Sequence, residues 1–154
     1  MKNEVKQHKY SEMMTKLKRA TYEEYYYEAI FIEYAILEDR TESILKHANV
    51  KYKDKNGKSF KISKKLNMIK DREEFQEKYV KKHLSNELVE QIYDWKINRD
   101  KLMHNVMNLN YENEEVKNVA LTGECLVKKI SSKSKLVNGY FDKKNFSEEK
   151  KIGG

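Results

Sequence analysis

The chain contains no proline. Sandwiches and turn-rich folds usually carry several, so the absence favours helices, whose interiors exclude the residue. Cysteine is reduced to Cys125 alone. That excludes an internal disulfide and any zinc site built from several thiolates. The five glycines are isolated or terminal. No glycine-rich loop is there to cradle a nucleotide phosphate, which removes the P-loop NTPase class. No apolar run approaches the length that crosses a bilayer, and the opening MKNEVKQHKY lacks the apolar region of a secretory signal. The expected setting is a reducing cytoplasm, without membrane association. His8, His47 and His83 are scattered and form no convincing set of metal ligands, so they are read as surface residues. Neither a metal nor a cofactor is expected.

What the sequence does have is charge. Charged residues make up 37% of the 154 positions and hydrophobic ones 38%. That balance fits one domain of long helices, each with a buried stripe and a charged outer face. The net charge is +7. All of it resides between Lys51 and Arg72, KYKDKNGKSFKISKKLNMIKDR, where nine basic residues meet two acidic ones. A concentrated basic segment attracts a phosphate backbone. The other reading is a solvated loop and helix face.

The apolar pattern predicts four or five helices in an all-α bundle. The first covers about Val5 to Ala20. Thr21 and Glu24 offer a capping box for a second, which runs to about Ala48. Asn56-Gly57 marks a small hairpin or a loop. Ser63 is placed as the cap of a third helix, and residues 74–84 form helix or connector. Asn86 is placed as the cap of the next helix, which the Asn-rich HNVMNLNYENEE interrupts. A last helix runs from about Glu114 to Lys133 or further. Residues 1–140 are read as one domain and 141–154 as a flexible tail. Cys125 falls among apolar neighbours and is expected to be buried. Tyr22, Tyr25, Tyr26 and Tyr27 could stack bases, but core or interface rim is the preferred reading.

One arginine stands out. Helical residues advance by ~100° each, which puts Leu88, Ile92, Trp95 and Leu102 on one stripe. Arg99 lies inside that stripe. A guanidinium keeps its charge, so it needs an anionic partner there. Glu33 shares a face with Tyr26, Ile30, Leu37 and Ile44, and is expected to face Arg99, with Asp39 as the alternative. Such a pair is structural in the first instance. His104, five residues after Arg99, is rotated by ~140° in a continuous helix. It comes back beside Arg99 only if the helix breaks near Met103 to Asn105. Asn105 tolerates the left-handed conformation that such a break needs.

An arginine beside a histidine, with no metal ligands near, suits RNA cleavage. The imidazole takes the proton of a ribose 2′-hydroxyl, whose oxygen attacks the adjacent phosphorus. The guanidinium holds the phosphate oxygens. The stretch RDKLMH, Arg99 to His104, resembles the arginine, four-to-six residues, histidine motif of HEPN domains. The preceding YDWKIN, with an aromatic residue shortly before the arginine, is similar to that family too. The resemblance covers most of residues 5–135. It implies a HEPN-like antiparallel helical bundle and a metal-independent endoribonuclease. It also implies a homodimer, with two copies of the motif meeting in a composite site. By that resemblance Arg99 and His104 would be catalytic and Asp100 would help orient them; Asn105, at the expected break, and Glu33, on the facing stripe, are expected in support from their own positions.

Lys58, Lys61, Lys64 and Lys65 are the expected RNA contacts, guiding the strand to the site. Such domains occur as toxins and in abortive infection and anti-phage defence, so a cognate antitoxin or defence-system protein is an expected partner. HEPN toxins paired with a nucleotidyltransferase antitoxin carry a tyrosine two residues after the histidine. Here that residue is Val106, so neutralisation by tyrosine modification is not implied. Some HEPN domains bind without cleaving. The rival reading is therefore a non-catalytic helical module for nucleic acid or a protein partner. A DNA-binding regulator ranks last, because no helix-turn-helix spacing supports it.

Overall fold

A computed structural model describes residues 2–107 and 113–153. Among the described residues it contains six α-helices and no strand. They are α1 (Lys2–Tyr22), α2 (Tyr26–His47), α3 (Ile62–Asp71), α4 (Lys78–His83), α5 (Asn86–Asn105) and α6 (Asn113–Gly153), with a 3-10 turn at Glu73–Phe75 before α4. The class is all-α. The helix number exceeds the expected four or five because the 74–84 connector contains α4. Part of the Asn-rich interruption, residues 108–112, lies outside the described residues.

The helix ends explain where the sequence reading slipped. Thr21 does not cap α2 but lies in the last turn of α1. There Tyr25 N–H donates to the Ala20 carbonyl and Glu24 N–H to that of Thr21, with Glu24 at a left-handed φ of 62°. This is a Schellman C-cap, and it repeats after α2 with Asn49 at φ 58°. Ser63 sits inside α3, whose N-cap is Lys61. Ser85, not Asn86, caps α5: its hydroxyl oxygen accepts the Leu88 N–H at 3.1 Å.

The chain divides into two compact units. The first comprises Met1–Leu37 and Asp94–Lys128. Its core holds Leu17, Ile30, Leu37, Trp95, Leu102 and Ala120, all buried. Burying each such large apolar side chain stabilises the fold by roughly 1.5–3 kcal/mol. The second unit comprises Glu38–Tyr93 and Lys129–Gly154. Its core is built on Ile44, Leu66, Phe75, Ile92, Val137 and Phe141. Phe75 and Phe141 meet edge to face at 5.7 Å.

Of residues 141–154, expected as a flexible tail, those up to Gly153 instead continue α6 as helix. Buried Phe141 anchors this stretch. Lys144 pairs with Glu77 at 2.6 Å, and the Asn145 side chain donates to the His47 carbonyl at 3.0 Å.

The basic segment between α2 and α3 closes on itself. Lys53 and Ser59 form a single antiparallel bridge, and Gly57 takes the left-handed φ of 78° that the turn needs. The Asp54 carboxylate accepts the backbone N–H groups of Asn56 (2.8 Å) and Lys58 (3.0 Å). This Asx-type turn fixes the loop without a strand ladder.

Candidate functional site

Four stripe positions on α5, Leu88, Ile92, Trp95 and Leu102, are buried as the periodicity requires. Arg99 is half-buried. Its Nη1 donates to Asp100 at 3.0 Å, and its guanidinium lies 4.2 Å from the centroid of the Tyr34 ring. The cation–π contact and the ion pair fix the plane of the guanidinium. Asp100 also binds Lys96 at 2.7 Å. Burial pushes the Asp100 carboxyl up, but the hydrogen bonds from Lys96 and Arg99 outweigh it and hold the group below its ordinary range.

The expected break before His104 is not there. α5 runs on through His104 to Asn105. Asn105 is not among the left-handed residues. Its side chain instead donates to the Lys101 carbonyl one turn back at 2.9 Å. His104 is exposed. In an unbroken helix it points ~140° away from Arg99, so one chain does not place the two side by side.

Glu33 is fully buried, as its place on the apolar stripe of α2 demands. It does not pair with Arg99. Both carboxylate oxygens are buried without a hydrogen-bond partner. Burial, then the nearby Glu124 and Cys125, push its pKa up to about 9. The carboxyl is therefore neutral at pH 7, and a neutral group has no charge to offer a guanidinium. Asp39, the alternative, binds Arg40 at 2.6 Å. The Glu33 carboxyl is accommodated by Gly123. A Cβ there would fall 2.7 Å from the carboxyl carbon and 2.8 Å from Trp95 Nε1. That indole N–H donates to the Val119 carbonyl at 2.9 Å.

Of the expected RNA contacts, Lys58, Lys61 and Lys64 are exposed. Lys64 Nζ lies 3.7 Å from the Phe60 ring centroid. Lys51, Phe60, Lys64 and Arg72 border an open groove of about 470 Å³. Lys65 must be taken off the set, because it is fully buried. Its ammonium donates to the Ser59 hydroxyl at 3.0 Å and to Glu42 at 3.4 Å. Ser59 in turn donates to the same Glu42 carboxylate. Lys65 thus ties the loop down instead of displaying charge. Its neighbour Lys64 points to water because one residue along a helix is a turn of ~100°.

Tyr22 (88% exposed) and Tyr25 (58%) are not in the core, and Cys125 is exposed, not buried. Tyr34 and Gly123 were not singled out by the sequence. Gly123 carried a weak signal, as an isolated glycine inside a helical pattern. Among the described residues no group of three or more His, Cys, Asp or Glu could hold a metal ion. No described helix is long and apolar enough to cross a membrane. No protein-family model, curated protein or solved structure matches this chain.

Proposed function

We propose that this chain is an all-α RNA-binding protein whose basic loop meets the phosphate backbone. The observation that carries this reading is the display of Lys51, Lys53, Lys55, Lys58, Lys61 and Lys64, all exposed, on one short closed loop and the helix after it. Asp54 and Lys65 hold that segment from beneath. A preordered cationic loop loses little conformational entropy on binding, and each phosphate neutralised releases counterions. Phe60, beside Lys64 in the groove, gives an unpaired base a ring to stack on, which favours single-stranded RNA over duplex. The test is fluorescence anisotropy with a single-stranded oligoribonucleotide. Submicromolar binding at low salt that Lys58→Gln, Lys61→Gln and Lys64→Gln together weaken is the expected result. No binding by the folded protein would sink the idea.

A second reading, metal-independent endoribonuclease of the HEPN kind, is favoured by the Arg99 guanidinium, half-exposed and oriented by Asp100 and Tyr34. Since His104 leaves the same helix on another face, this reading requires a symmetric homodimer in which the histidine of one copy serves the arginine of the other. His104 takes the 2′-hydroxyl proton and the 2′-oxygen attacks phosphorus. The 5′-oxygen leaves with a proton from the second copy's protonated histidine. Val106 (42% exposed) and Met107 (89%), just beyond His104, are apolar surface that a second copy would cover. A cognate antitoxin or defence-system protein belongs to this reading as the partner that restrains it. RNA cleavage in chelator, lost in His104→Ala, is its test; intact RNA with a dimeric wild type would rule it out.

A further inference from the structure

α4 ends at His83 and α5 starts at Asn86, and the turn between them opens a pocket of about 260 Å³. Lys82, His83, Ser85, Glu87, Lys129 and Lys133 line it. Three lysines therefore share the lining with one carboxylate. Two other lysines of α6 are matched: Lys128 pairs with Glu124 at 2.9 Å and Lys144 with Glu77 at 2.6 Å. Lys81, next to the pocket, spends its ammonium on Asn86 (2.7 Å) and the Lys70 carbonyl (3.0 Å). Lys82, Lys129 and Lys133 make no ion pair among the described residues.

His83 sits among them with its ring edge-on to Tyr79 at 4.8 Å and its Nδ1 buried without a hydrogen-bond partner. A buried polar atom without a partner is costly and calls for a ligand or a water. Ser85 accepts the Leu88 N–H, which leaves its own O–H free to donate. The 20-residue helix α5 begins at the same point and adds the positive end of its dipole.

We propose that this pocket binds a phosphate group, held by Lys82, Lys129 and Lys133, with His83 and the Ser85 hydroxyl as further donors. The ligand class is a phosphate ester, from either a mononucleotide or a nucleic-acid backbone. The site goes beyond RNA binding at the basic loop and does not depend on it. The field that would draw the anion already acts on His83. Burial of the ring, then the Lys133 and Lys82 ammonium groups, lower its pKa. Among the described residues Glu87 is the only carboxylate lining the pocket, and Lys129 adds to the cationic side. A bound phosphate opposes the lysine field and favours the imidazolium. Binding therefore takes up a proton and tightens as pH falls through the His83 titration.

The test is NMR of the four histidine rings during titration with inorganic phosphate at fixed ionic strength. His83 is expected to shift saturably and its titration midpoint to rise, while His8, His47 and His104 barely move. Lys129→Ala with Lys133→Ala should weaken phosphate binding by at least about tenfold and raise the His83 midpoint of the free protein. Should that pair of changes disturb folding, Glu87→Gln is the second variant, and it should tighten binding. Competition identifies the source. Displacement by adenosine monophosphate alone marks a mononucleotide site, and displacement by a 5′-hydroxyl oligoribonucleotide marks a backbone site. Displacement by neither means an adventitious ion only and overturns the proposal. So does a His83 response no different from that of the other three histidines, or one that the lysine changes leave intact.

Discussion

The carboxyl of Glu33 fills the space that a side chain at position 123 would need, so the missing Cβ of Gly123 and the buried acid are one feature. Helix propensity alone says that Gly123→Ala should stabilise α6 by up to about 1 kcal/mol. The close approach says the opposite, because the methyl would meet both the carboxyl and the Trp95 indole. We expect a net loss of about 1–3 kcal/mol in urea denaturation. In the Glu33→Ala background the same change should cost much less, and a double-mutant cycle reads that coupling directly.

Glu33 also makes stability depend on pH. Its ordinary value is 4.5 and its folded value about 9. Between them the unfolded chain is ionised at this residue and the folded chain is not, so folding takes up a proton. The contribution of Glu33 is intact below pH 4.5 and is lost as pH rises towards 9, at roughly 1.4 kcal/mol per pH unit at most. Glu33→Gln removes that slope. The variant should gain on the wild type steadily from pH 5 to pH 9 in thermal or urea unfolding. Parallel pH profiles for the two proteins would contradict the assignment.

Lys64 and Lys65 are adjacent in sequence and opposite in role. Lys65→Met removes a fully buried ammonium whose partners Glu38 (42% exposed) and Glu42 (32%) still reach water. The stability change should be small, within about 1–2 kcal/mol, since desolvation of the ammonium offsets most of the lost pairing. RNA affinity should hold. Lys64→Met should leave stability alone and weaken RNA binding. Equal losses of affinity in both variants would place Lys65 on the binding surface after all.

The sequence carried the all-α class and most of the core, because period-3.6 stripes such as Ile30, Leu37 and Ile44, all buried, are written in the residues themselves. It also carried the basic loop, through Asn56-Gly57 and the lysine run. Helix ends were less legible. The Schellman caps at Glu24 and Asn49 use backbone bonds and non-glycine residues that leave no distinctive spelling. The α6 extension past 140 was missed because polar KKNFSEEKK looks frayed, while Phe141 and the Lys144–Glu77 pair that secure it are contacts across the chain. The pattern placed Arg99 on the core-facing stripe, where it is half-buried, but did not give its partners. Tyr34 and Asp100 hold it, its Nε is buried without a hydrogen-bond partner, and Glu33 goes neutral instead of answering it. Such choices depend on depth of burial, which periodicity does not report.

The continuous α5 gives the ribonuclease reading a sharp condition. Arg99 and His104 diverge on one helix, so cleavage should vanish under conditions that separate the copies. In a dimer, mixing wild-type with excess His104→Ala protein should lower activity beyond simple dilution, since a mixed dimer keeps one of the two histidines that cleavage uses. Sedimentation and a gel-based cleavage assay in chelator measure both. Activity in a strict monomer would show that the helix opens near Met103.

RNA binding by the basic loop is the centre of the account, and its salt dependence is the most direct test. For single strands the slope of log K against log salt is about −0.7 per phosphate neutralised. Replacing Lys58, Lys61 and Lys64 by glutamine should weaken binding and make the slope shallower by about 2. Unchanged affinity and slope in that triple variant would contradict the account.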